Sequence, residues 1–215
     1  MISSAFSSRR ENSAQHGFSL MEILAVAAIL ITVTAFALPS MMQAVYGFKL
    51  RTSAGDLSGL MQQARMSAAK NNATYAIRYT TISGRSAAYI DGLVGGSPNG
   101  TYDPGEPIIY FTTGLTPAAA APSGGSGQPS AYVLAGDPGT GTPYDNATTL
   151  AFTPRGLPCA YDGSTTPATC VTPVTNYFGY YLTQSRTVGS TGWGAVVVSK
   201  SGRSKVVTWN GTSWN

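Results

Sequence analysis

Glu22 is a carboxylate set where the chain is otherwise oil. It lies four residues inside the run Phe18 to Leu38, 21 residues with no other formal charge and only the hydroxyls of Ser19, Thr32 and Thr34 among Leu, Ile, Val, Ala, Phe and Met. An acid near the end of a membrane span costs about 1 to 3 kcal/mol if nothing compensates it, so the chemistry it asks for is pairing with a cation. Cutting the chain between Gly17 and Phe18 would create one. The new α-amino group of Phe18 would stand one helical turn from Glu22, and a carboxylate in the first turn also suits the positive end of the helix dipole. In an assembly, the same acid would meet the amino terminus of a neighbouring copy. An uncut signal anchor is the plainer alternative, but it gains nothing from a buried acid.

Other reactive residues are few. The one histidine, His16, precedes Gly17, and the part after Gly17 holds eight carboxylates, so no nucleophile stands beside an evident base and no catalysis is expected. Cys159 and Cys170, with ten residues between them, are the only cysteines. They suggest a disulfide in an oxidising compartment, worth about 3 kcal/mol by loop entropy. Zinc is the rival reading, and without histidine it lacks ligands. No metal and no cofactor are expected.

Asp91, Asp103, Asp137, Asp145 and Asp162 sit among Gly, Pro, Ser or Thr, where Asp commonly turns the chain by bonding its own backbone. The stretch from Asp91 to Glu106 gathers three acids and an Asn, an oxygen set that calcium accepts, though without the alternation of an EF-hand; turn formation is favoured. Near the end, Lys200, Arg203 and Lys205 fall within six residues, close in sequence to Trp209 and Trp214. Charges for phosphates and rings for bases are what sequence-independent DNA contact requires. The plainer reading is a glycine turn whose solvated charges protect an edge strand.

These residues have to be positioned by a small set of elements. Phe18 to Leu38 is long enough, at about 1.5 Å per residue, to cross a bilayer. Pro39 is tolerated in such a helix, which continues as an amphipathic stem to Asn71-Asn72. Leu57, Leu60, Met61, Ala64 and Ala68 form its apolar face, while Gly47, Gly55 and Gly59 predict bending or local melting. Arg65 is expected at the helix-sheet boundary as a cap or ion pair. Beyond Asn72 the period becomes 2. Thr74 to Tyr79 and Ala87 to Ile90 predict a hairpin across Ser83-Gly84. Further strands are predicted at Ile108 to Thr113, Tyr132 to Leu134, Thr148 to Phe152, Tyr177 to Leu182, Trp193 to Ser199 and Ser204 to Trp209. Asp91 to Pro107 reads as loop, and Thr116 to Ser130 as low-complexity.

The resulting division is a leader over 1–17, a membrane helix over 18–38, a stem over 39–72 and an antiparallel β head over 73–215. Arg9 and Arg10 favour a cytoplasmic amino terminus. Charged residues are 10% of the chain, a balance suited to an extracytoplasmic domain. Without the leader, 11 basic and 8 acidic side chains leave a charge of +3. Such a mild bias permits an anionic partner without requiring one.

The block Gly17-Phe18-Ser19-Leu20-Met21-Glu22, after a polar leader and before an apolar run, resembles the class III signal of type IV pilins and type II secretion pseudopilins. The resemblance implies that a prepilin peptidase cuts after Gly17 and methylates Phe18, and that Glu22 sets subunit register. Further along stand Met61-Gln62-Gln63-Ala64-Arg65, Phe152-Thr153-Pro154-Arg155-Gly156 and Val198-Ser199-Lys200-Ser201-Gly202-Arg203, which resemble the GspH/FimT subfamily of minor pilins and pseudopilins. That implies an α+β fold, a long amino-terminal helix packed on an antiparallel β-sandwich-like head. It also implies a non-enzymatic structural subunit with no small-molecule substrate. The subunit would be held in the inner membrane with a periplasmic head and assembled with other pilins through the helix. The DNA-uptake pilins of this group close on Gly-Arg-any-Arg; here Gly202-Arg203-Ser204-Lys205 ends in Lys, which neutralises a phosphate but lacks the planar fork. A DNA-binding tip subunit is therefore the alternative function.

Overall fold

The computed structural model describes residues 18–118, 122, 150–162, 169–171, 178–186, 191–209 and 214. Gly17, the expected strand over Tyr132 to Leu134, and Asp137 and Asp145 lie outside the described residues. One helix, α1 (Leu20–Asn71), is followed by ten strands: β1 (Tyr75–Ile82), β2 (Arg85–Asp91), β3 (Ile108–Tyr110), β4 (Leu115–Ala118), β5 (Leu150–Phe152), β6 (Pro158–Asp162), β7 (Thr169–Val171), β8 (Phe178–Gln184), β9 (Gly192–Val198) and β10 (Ser204–Trp209). The fold is α+β, one long amino-terminal helix packed on two antiparallel sheets. Contacts divide the chain into two units, Met1–Met41 and Met42–Asn215.

In the first unit, α1 begins with Ser19 as its cap: the Ser19 hydroxyl accepts from the Glu22 backbone N–H at 3.2 Å. Ser19-Leu20-Met21-Glu22 thus has the Ser-x-x-Glu spacing of a capping box, a local reason for an acid at this position. The hydroxyls that interrupt the apolar run are answered by the preceding turn. Thr32 and Thr34 donate to the carbonyls of Ala28 and Leu30, each at 2.8 Å, and Ser40 donates to Ala37 at 2.9 Å. With backbone and hydroxyls satisfied internally, this stretch is suited to hydrocarbon. It is long and apolar enough to cross a membrane, with Phe18, Leu20, Ile29 and Phe36 all exposed.

In the second unit, α1 runs without a break through Gly47, Gly55 and Gly59, so the expected melting does not occur. Burial of the flanking Leu50, Ala54, Leu57, Leu60 and Met61 outweighs the loss of about 1 kcal/mol per glycine. The helix ends as Asn71-Asn72 predicts. Asn72 takes φ 50°, and Ala73 N–H reaches the Ala68 carbonyl at 3.2 Å, a Schellman closure.

The first sheet has the order β3-β2-β1-β5-β6-β7 and the second β10-β9-β8-β4. Ser83 and Gly84, both at positive φ, make the two-residue turn between β1 and β2. Four strands depart from expectation: β3 stops at Tyr110 instead of Thr113, and β4, β6 and β7 are additions. β4 occupies Leu115–Ala118, where low complexity was expected from Thr116, because its partner β8 supplies the pairing. β6 and β7 carry no clear alternation and are held by pairing to β5 and to each other. The main core lies between α1 and the inner faces of both sheets, where Leu57, Met61 and Ala64 meet Ile77, Ile90, Phe152, Tyr180 and Val196.

Two tyrosines of that core, Tyr79 and Tyr180, have ring centroids 6.0 Å apart. Burial pushes both phenols up, and pushes Tyr89 up to about 12, with Asp91 adding to the shift. The folded chain holds these protons to higher pH than an unfolded one, whose tyrosines titrate near 10. Stability is therefore fully present below about pH 10 and is lost as pH rises from there past 12. In an alkaline titration, tyrosinate absorbance from these residues is expected to rise together with loss of near-ultraviolet circular dichroism. All twelve tyrosines ionising near pH 10 with the fold intact would contradict it.

Candidate functional site

Two turns of the same construction meet beside α1. In the first, between β5 and β6, Thr153 N–H donates to the Leu157 carbonyl at 2.9 Å and Gly156 N–H to the Thr153 carbonyl at 2.7 Å. In the second, between β9 and β10, Ser199 N–H donates to Arg203 at 2.9 Å and Gly202 N–H to Ser199 at 2.8 Å. Each places three residues between its arms and ends on a left-handed glycine, Gly156 at φ 71° and Gly202 at φ 78°. A hydroxyl at the first position, Thr153 or Ser199, accepts the N–H four residues on, at 3.2 Å in both.

Arg65 joins the two turns. Its Nε donates to the Gly156 carbonyl at 3.0 Å and its guanidinium NH1 to the Gly202 carbonyl at 3.2 Å. One side chain thus ties the helix to both sheets through matched carbonyls. The expectation of a hydrogen-bonding cap names the right residue; among the described residues Arg65 forms no ion pair. A Cβ at Gly202 would come 3.1 Å from Arg65 Nε and 3.2 Å from the Gly156 oxygen, so a larger residue there is strained by φ and crowds the guanidinium. Ser204 adds a lateral tie, 2.8 Å from the Ser58 hydroxyl and accepting from Gln62 at 2.9 Å.

The abutting turns present cations. Arg203 and Arg155 are exposed, and Lys200 and Lys205 are half-buried. Arg155 joins the set that Lys200, Arg203 and Lys205 suggested, and no spacing in the sequence links it to them. The β9–β10 register places Lys205 opposite Val197, on the face that carries Val207 and Trp209, away from the Ser204 face on α1. The expected aromatic partners do not stand ready. Trp214 is 1% exposed, bridged to Trp209 and packed 5.4 Å from it and 5.9 Å from Tyr181. It closes the outer core of the second sheet, so it offers no face to a base.

Comparison with protein-family models, with curated proteins and with solved structures found no match. The residues themselves carry the functional reading.

Elsewhere the structure joins Cys159 to Cys170 in a disulfide with Cα atoms 5.5 Å apart, on the outer side of the first sheet. Asp91 corrects its expected role. It is not a turn former bonding its neighbours; its fully buried carboxylate pairs with Arg78 and accepts the N–H groups of Asn99 at 2.8 Å and Gly100 at 2.9 Å. Glu106, also buried, accepts from Gly92 at 2.8 Å and Asp103 at 3.1 Å. Donors on this side thus occupy the oxygens that calcium would have used. Among the described residues, no group of three His, Cys, Asp or Glu is placed to hold a metal. The loop is fastened further by Tyr89 against Tyr102, 5.5 Å between rings.

Glu22 and Phe18, in the first unit, are exposed and line a shallow apolar groove with Ile23, Val26, Ala27 and Leu30.

Proposed function

We propose that the chain is a prepilin-type minor subunit of a type IV pilus or a type II secretion pseudopilus. Prepilin peptidase cuts after Gly17 and methylates Phe18. The observation that supports this best is the start of α1: the helix is capped at Ser19, immediately past the cleavage point, and holds Glu22 in its first turn on an otherwise exposed apolar surface. In this reading the subunit sits in the inner membrane with its amino terminus cytoplasmic and its β head periplasmic. Assembly transfers the apolar helix from lipid into a bundle of other pilins, where the Glu22 carboxylate meets an amino terminus, at a gain set by the cost of leaving that charge in lipid. The head acts by contact, not by catalysis.

Mass spectrometry of the membrane-extracted chain is expected to show a start at Phe18 carrying one added methyl group. An intact Met1 in cells with an active peptidase overturns the reading. Glu22→Ala is expected to leave cleavage unchanged and to reduce incorporation into filaments severely.

A second reading, contact with DNA at the head, is supported by the extra cation Arg155 at the joined turns and weakened by the burial of Trp214. It predicts phosphate contact without base stacking. Triple replacement of Arg155, Lys200 and Arg203 by Ala should then weaken double-stranded DNA binding at low salt and flatten its salt dependence by up to about three charges. An unchanged affinity removes this reading.

A further inference from the structure

The head carries a groove that neither reading uses. Gly47, Phe48 and Arg51 of α1 line it on one side, and Arg186, beyond β8, with Thr208 and Trp209 of β10 on the other. Phe48 is 72% exposed, the most exposed aromatic ring among the described residues of the head. Arg186 is held in place. Its guanidinium lies 5.9 Å from the centre of the Tyr46 ring and fills the space beside Gly192, where an added Cβ would come within 2.7 Å of its Cζ. Its Nε is buried with no hydrogen-bond partner among the described residues. A desolvated guanidinium N–H without an acceptor is a cost that a bound anion would remove.

The charge around the groove is one-sided. Among the described residues no carboxylate lines it, and from Met41 to Gly55 the chain holds Lys49 and Arg51 and no acid. Two arginines select an anion, while the exposed Phe48 ring selects something with an apolar portion as well. Position narrows the class further. Ala44, at the edge of the groove, follows the apolar run ending at Leu38 by six residues, which even fully extended span no more than about 20 Å. If the run is in a bilayer, the groove is within reach of the headgroup layer, where amphipathic aromatics and arginines concentrate.

We propose that this groove binds the phosphodiester headgroup of an anionic phospholipid, with Arg51 and Arg186 as phosphate contacts and Phe48 against the glycerol and acyl portion. The proposal rests on the membrane-anchoring part of the function above, and not on processing or assembly.

The test titrates the full-length protein, in neutral detergent micelles, with short-chain phosphatidylglycerol, short-chain phosphatidylcholine and inorganic phosphate, following tryptophan fluorescence. Saturable binding of phosphatidylglycerol alone is expected. R51Q should weaken it about fivefold and R51Q/R186Q about 30-fold, with R51K/R186K largely restoring it. Near-ultraviolet circular dichroism reports whether each variant is folded, and R51Q, on the exposed wall, decides the matter if the double variant is not. Equal response to phosphatidylcholine, an unchanged affinity in R51Q, or phosphate binding as tightly as the lipid would each overturn the proposal. A signal that depends on protein concentration instead of lipid would assign the groove to a second copy and overturn it too. Flotation with phosphatidylcholine vesicles separates the two levels. A chain that fails to float refutes the anchor itself, and one that floats without headgroup selectivity refutes only the groove.

Discussion

Asp91→Ala is expected to destabilise the head by about 3 to 5 kcal/mol, the range for removing one member of a buried ion pair. The carboxylate is completely buried, and its partner Arg78 is 23% exposed, so water can only partly replace the lost charge. Two backbone N–H groups, of Asn99 and Gly100, lose their acceptor in the same step. The loop from Gly92 to Pro107 would then be fastened mainly by Glu106 and by Tyr102 against Tyr89. Asp91→Asn keeps one acceptor oxygen and the shape, and should cost roughly half as much. Thermal unfolding of the full chain in mild detergent, followed in the near ultraviolet, should register Asp91→Ala as a fall of about 10 °C in Tm. A shift of under about 2 °C would show that the pair contributes little beyond its own desolvation.

Arg65→Ala should cost about 2 to 4 kcal/mol, from two hydrogen bonds made by a charged donor and from the carbonyls left behind. Its signature is spatial. Because Gly156 and Gly202 belong to turns of different sheets, amide exchange should accelerate at both together, at Gly156 and Leu157 and at Gly202 and Arg203. Arg65→Lys keeps the charge but has no fork to reach two carbonyls, so it should restore little of the loss. Faster exchange at one turn alone would mean that Arg65 does not couple them. Gly202→Ala should resemble Arg65→Ala, since the added methyl is strained at φ 78° and crowds the guanidinium.

What the chain reveals before folding depends on how local its causes are. The apolar run, the amphipathic face from Leu57 to Ala68, the Ser83-Gly84 hairpin and the β9–β10 hairpin are written in periods of 3.6 and 2, and all form as read. The cap at Ser19 is equally local, spelled as Ser-x-x-Glu, although the membrane context of Glu22 points first to charge pairing and to the helix dipole. β4 and β6 contain or begin with proline, and β7 is three residues long; pairing to neighbours across sequence, not propensity, makes them strands. Asp91 sits in a Gly- and Pro-rich setting that normally means a turn, and only the fold brings Arg78 to it. Arg65 is the extreme case. Its two acceptors lie 91 and 137 residues away, so its residue type was legible and its partners were not.

The paired turns also bear on how the head carries load. Tension entering α1 from its amino-terminal side reaches Arg65 and divides between Gly156 and Gly202, one grip on each sheet. Arg65 is thus a shared anchor, and a pull on this part of α1 is borne by both sheets here. Slackening that anchor should lower the force at which either sheet is lost from the helix, which pulling Arg65→Ala beside the parent chain would measure.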